Sequence, residues 1–278
     1  MLDKFTNRLR YFIELSYNGS EYHGWQSQPN AITIQQTVEN SLQLVLKNKQ
    51  LKIVGAGRTD TGVHALQMYA HFDFNQKFDV NNLIFKLNSF LDKNIVINNI
   101  SKVHSKAHAR FDAILREYKY FLTTKKDVFN SDTKYHFTKK LNFDQIDKAI
   151  EIIKVNTNFK SFCRSRTDVT NYECTIVNFK YEAKNSEVIF TISANRFLRN
   201  MVRSIIGTIL EVGMHKISTE KLKEIIYKSD RIYAGQSVPA HGRALLHCQS
   251  ARRELRPDPT AGRQKVDVLG VEAAGRVS

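Results

Sequence analysis

The chain has 278 residues, with 42 Lys and Arg against 27 Asp and Glu and a net charge of +15. Its 42% hydrophobic and 25% charged residues match ordinary globular usage; this excludes a mainly disordered, collagen-like or low-complexity chain, and the length fits one or two domains. The positive charge points to a polyanionic partner, nucleic acid first, against the plainer reading of a solvated lysine-rich surface.

In chain order the pattern predicts two units of strands and helices. Residues 9–17 read as a strand ended by the turn pair Asn18-Gly19. Thr33 is placed to cap a helix over 34–47, with Val38, Leu42 and Val45 or Leu46 on one face. Residues 51–54 predict a short strand, 55–65 a glycine-punctuated loop, 67–74 a strand, 82–91 a helix and 95–103 an extended segment. In the second unit, 116–123 alternates as a strand, and 143–155 carries Ile146, Ala149, Ile150 and Ile153 in helical register. Residues 175–183 and 188–194 predict a hairpin, 197–212 a long apolar helix, and Thr219 the cap of a short helix ending near Tyr227. The expected class is α+β, two antiparallel sheets each backed by helices, with domains at 1–107 and 108–241.

The last 37 residues contain no Phe, Tyr, Trp, Ile, Met or Asn, and show no clear periodicity. Residues 242–278 are therefore expected to be an atypical tail, disordered or non-native, outside the fold; a natural flexible basic tail is the alternative. No apolar stretch approaches 18 residues and the start has no secretory core, which predicts a cytoplasmic protein without membrane contact. Cys163, Cys174 and Cys248 form no C-x-x-C pair, and the nine histidines show no metal-ligand spacing. No disulfide framework and no metal site are expected.

Three constellations carry candidate chemistry. In Gly55-Ala56-Gly57-Arg58-Thr59-Asp60-Thr61-Gly62-Val63-His64-Ala65, glycines surround a single carboxylate, which suits a nucleophile or a general base. Arg58 is close enough in sequence to keep Asp60 ionised or to hold a phosphate. The plainer reading is an Asp that satisfies turn amides, with Arg58 as its surface partner. In Arg116-Glu117-Tyr118-Lys119-Tyr120, a strand would place Arg116, Tyr118 and Tyr120 on one face, where a ring stacks on a base and cations hold phosphates, or where the tyrosines simply pack in the core. In Asn195-Arg196-Phe197-Leu198-Arg199-Asn200-Met201-Val202-Arg203, a helix would align Arg196, Arg199 and Arg203 on one stripe. A buried arginine there needs a partner, and Asp60 is a candidate. Trp25, in Tyr22-His23-Gly24-Trp25-Gln26, either contacts bases or fills the core.

Together with Tyr17-Asn18-Gly19-Ser20 and Ala234-Gly235-Gln236-Ser237-Val238-Pro239-Ala240, these strings, in this order from about residue 9 to 242, resemble the TruA family of tRNA pseudouridine synthases. The resemblance implies two similar α/β domains meeting at a basic cleft, a homodimer, and no cofactor or metal. It implies isomerisation of uridine to pseudouridine at positions 38, 39 and 40 of the tRNA anticodon stem-loop. Asp60 would be the nucleophile, Tyr118 would stack on the target uracil, Arg58 would lie at the active site and Arg203 would be the ionic partner of Asp60. The family closes its second domain with an apolar strand after the Pro-Ala segment. Here only residues 244–246 offer apolar packing, so a missing strand and an open sheet edge are expected. The rival to the isomerase is a catalytically silent tRNA-binding protein on the same scaffold; an acid–base hydrolase lacks a second catalytic group near Asp60.

Overall fold

The computed structural model describes residues 9–165 and 169–250, with backbone alone for 243–250. In chain order the first unit comprises β1 (Arg10–Tyr17), α1 (Ile34–Val45), β2 (Val54–Gly55), β3 (His64–Asp73), α2 (Val80–Phe90) and β4 (Ile95–Val103). The second comprises β5 (Ala113–Thr123), β6 (Tyr135–His136), α3 (Phe143–Lys154), β7 (Ile176–Lys184), β8 (Glu187–Ala194), α4 (Met201–Gly213) and α5 (Thr219–Lys228), followed by β9 (Arg243–Ser250).

Local chemistry sets the helix starts. The side chains of Thr33, Asp79, Asn142 and Ser218 accept hydrogen bonds from backbone amides three residues on, capping α1, α2, α3 and α5. Ser218 thus takes the capping place expected of Thr219. α1 and α3 each turn one apolar stripe inward, Ile34, Val38 and Leu42 of the first and Ile146, Ala149, Ile150 and Ile153 of the second being buried, whereas α4 is buried on nearly all sides.

The first unit forms a mainly antiparallel group in which β1 lies between β3 and β4, with β2 on β3. In the second, β8 lies between β5 and β7, with β6 on β5. These four-stranded groups are the two sheets expected, but they are not separate. β9 runs parallel to β3 (His64 opposite Ala244) and antiparallel to β5 (Tyr120 opposite Arg243). The result is one sheet in the order β4-β1-β3-β9-β5-β8-β7.

The expectation that everything from Gly242 onward stands outside the fold is therefore corrected for its first part: Arg243–Ser250 is a strand, and no edge is left open between β3 and β5. Ladder bonds use backbone groups that all eight of these residues possess, so a change in side-chain composition does not remove strand potential. Residues 251–278 lie outside the described residues.

The junction between the units is pinned. Arg10 makes two bonds to Asp73 (2.7 and 2.9 Å) and donates to Ala107 O (2.7 Å). His71 Nδ1 accepts from Ala109 N at 3.2 Å. Burial, then Arg10 and the neighbouring His108, push the His71 imidazole down to about 4. Among the described residues no helix is long and apolar enough to cross a membrane.

Candidate active site

Residues 56–63 connect β2 to β3 as a loop clamped from three sides. Trp25 N donates to Thr59 O (3.1 Å), Gly62 N to Tyr22 O (3.3 Å), and the Tyr17 and Thr59 hydroxyls share a bond of 3.0 Å. Gly24 makes the close approach possible. Its φ is +86°, and a Cβ there would lie 2.4 Å from Thr59 O. At the loop's exit, His64 Nδ1 accepts from Gly19 N (3.2 Å). That leaves Nε2 to carry the proton and donate toward Asp132 O (2.9 Å) and His241 O (3.2 Å). Trp25 is 2% exposed and its ring packs under Gly55. It fills the core beneath the loop and does not present a base-binding surface.

Asp60 sits at the crest of this loop, its side chain 25% exposed, facing two guanidiniums. Arg203 Nη1 lies 3.7 Å from Oδ2, and Arg199 Nε lies 4.0 Å from Oδ1. Arg203 is held from behind: its Nε donates to Val238 O at 2.7 Å, and its own carbonyl accepts from Val238 N at 3.2 Å. The segment around Val238 lies this close because residue 207 is glycine; a Cβ there would lie 1.9 Å from Gln236 O. Arg58 stands apart from this pairing. It is exposed and, among the described residues, makes no ion pair with Asp60.

The predicted stripe of Arg196, Arg199 and Arg203 along one helix does not form. Asn200 adopts φ +67°, and α4 begins only at Met201. A left-handed residue cannot continue a right-handed helix, so Arg196 and Arg199 precede α4 on irregular backbone. The turn still delivers Arg199 beside Arg203, while Arg196 pairs with no carboxylate among the described residues. The sequence signal for Arg199 was its place four residues before Arg203; its reach to Asp60 depends on the Asn200 turn, which periodicity does not reveal.

On β5, Tyr118 is 7% exposed and stands edge-on to Phe197, ring centres 5.2 Å apart at 80°. Phe197 is two residues from Arg199, so Tyr118 borders the arginine segment. Tyr120 is core: buried, with its hydroxyl donating to Pro239 O at 2.8 Å. Arg116 was expected to offer its charge to phosphate. Instead its guanidinium donates to four carbonyls, those of Ala56, Arg110, Ala113 and Asn195, at 2.8–3.2 Å. It ties the entrance of the Asp60 loop to β5 and to the end of β8. Among the described residues no three His, Cys, Asp or Glu side chains gather as metal ligands.

The site therefore presents one carboxylate, two facing cations and an adjacent tyrosine. This arrangement suits a reaction that needs a nucleophile or base but no second carboxylate.

The family described as tRNA pseudouridine synthase matches residues 15–112 and 156–249. The tRNA pseudouridine synthase A of Parabacteroides distasonis is 44% identical over 240 residues, covering 85% of this chain and 94% of that protein. That of Bacteroides fragilis is 42% identical over 242 residues, covering 86% and 96%. That of Bacillus subtilis is 34% identical over 237 residues, covering 84% and 96%.

Proposed function

Because the chain belongs to the tRNA pseudouridine synthase family, we propose that it isomerises uridine to pseudouridine in tRNA with Asp60 as the reacting carboxylate. The observation that carries the assignment is Asp60 at the crest of a clamped loop, with guanidiniums of Arg203 and Arg199 within 4.0 Å.

The reaction breaks the N1–C1′ bond, turns the uracil and joins C5 to C1′. The C5 proton leaves and N1 gains one, so the atoms balance and no redox step is needed. An ionised Asp60 serves either route: attack on C1′, or proton removal that opens a glycal path. Arg203, anchored by Val238, holds the carboxylate in place and adds a compensating charge in a partly dry site. The target base must leave its stack, at a cost of a few kcal/mol. Tyr118 is the platform on which it rests. Its ring is already fixed against Phe197, so stacking orders no free side chain. Arg58, exposed on the same loop as Asp60, is available for substrate phosphate.

The finer assignment is positions 38, 39 and 40 of the anticodon stem-loop, approached by a homodimer in the cytoplasm, with no cofactor. The GRTDTGVHA string of residues 57–65 supports it through the family resemblance, and the net charge of +15 fits an RNA substrate. Tritium release from C5-labelled tRNA tests the function. Wild type releases tritium and Asp60→Ala does not; equal release from both would overturn the assignment.

A further inference from the structure

Two arginines face one carboxylate, and only one is needed to balance it. Arg203 is the committed partner. Its side chain is 22% exposed, and its Nε is occupied by Val238 O. Arg199 is the surplus cation. Its side chain is 55% exposed and donates no hydrogen bond among the described residues. At 4.0 Å its Nε is beyond hydrogen-bond length from Asp60 Oδ1.

The backbone that carries Arg199 is nevertheless fixed. Its carbonyl accepts from Arg164 N at 2.9 Å, Met201 N donates to Leu198 O at 3.1 Å, and the Asn200 side chain donates through Nδ2 to Ser237 Oγ at 2.7 Å. A long cationic side chain on rigid backbone, loosely attracted to the reacting carboxylate and open to solvent, is placed to exchange that attraction for a stronger one.

Resting on the tRNA reading above, we propose that Arg199 binds a phosphate flanking the target nucleotide and passes from Asp60 to that phosphate when the RNA enters. A guanidinium forms two parallel bonds to phosphate oxygens, and such charge-assisted bonds exceed a 4.0 Å through-space attraction to a carboxylate. Arg203 stays and keeps the carboxylate oriented. The two arginines thus divide the work: one positions the acid, the other reads the backbone beside the base it acts on.

Steady-state kinetics on tRNA at several salt concentrations test this, with wild type, Arg199→Gln, Arg199→Lys and, as a control for loss of one charge, the exposed Lys223→Gln. Arg199→Gln raises KM about tenfold or more with a much smaller change in kcat. Its kcat/KM depends less steeply on salt, the log–log slope shrinking by just under one. Arg199→Lys recovers part of the KM but not all, since an ammonium lacks the fork. Lys223→Gln changes neither KM nor slope. A fall in kcat with unchanged KM and slope would show that Arg199 serves Asp60 alone and would overturn the proposal, as would an Arg199→Gln enzyme identical to wild type. Absence of pseudouridine from the wild-type reaction would instead refute the functional reading, and this inference with it.

Discussion

Asp60 is ordinary in composition and special in placement. Its loop is held by Trp25, Tyr22 and Tyr17 from below, so the carboxylate is presented without its own side chain bearing the fold. Gly24 is where this arrangement is most easily broken. Gly24→Ala would add a Cβ 2.4 Å from Thr59 O at a backbone φ of +86°. It is expected to cost roughly 1–3 kcal/mol in stability and to lower kcat by displacing the loop. Gly57→Ala meets nothing within 4 Å and should leave the thermal midpoint unchanged. Thermal unfolding beside single-turnover rates checks both; equal midpoints for the two variants would contradict this account of the clamp. At this scale the sequence singled out Asp60 as a lone carboxylate among glycines, a pattern that a turn Asp shares, and only the wider set of motifs favoured a reacting group. It misled about Arg116. Nothing local distinguishes an arginine that points to solvent from one that collects four carbonyls, two of them from distant segments.

Elements deliver these residues, and their boundaries matter more than their existence. The strands and helices expected from alternation and apolar stripes nearly all formed. The consequential difference was the start of α4, set by the left-handed Asn200; that turn points Arg199 back toward Asp60. Tertiary contact with Ser237 holds the turn, and a linear reading of periodicity does not contain that contact. Arg116 plays the equivalent part on β5, joining the Asp60 loop to the segments before β5 and after β8. Arg116→Lys retains the charge but cannot span the four carbonyl acceptors. It is expected to destabilise the protein by about 1.5–3 kcal/mol, visible as a lower denaturation midpoint, with activity falling as the loop entrance loosens. An unchanged midpoint would mean the clasp contributes nothing.

Across the whole molecule, β9 makes two sheets into one, and it was the part least legible in the sequence. The compositional break at 242 is real, yet β3 and β5 offer complementary edges whose backbone groups accept a strand of almost any composition. The unit junction adds a pH dependence. His71 is neutral in the fold, its Nδ1 accepting from Ala109 N, with its pKa lowered to about 4 from 6.5. The unfolded chain therefore binds more protons than the folded one between these values, and stability falls as pH drops from 6.5 toward 4. The contribution of this group is at most on the order of 3 kcal/mol. His71→Asn keeps an acceptor but does not titrate, so its stability curve should be flatter across that window. Parallel curves for the two proteins would contradict the assignment.

The most direct measurement is position-resolved mapping of pseudouridine in tRNA incubated with wild type and with Asp60→Asn, each verified as folded. Wild type should convert uridines at positions 38–40, and the isosteric amide should reduce the rate by at least about 10²–10⁴-fold. Conversion by Asp60→Asn at the wild-type rate would contradict the central role of this carboxylate.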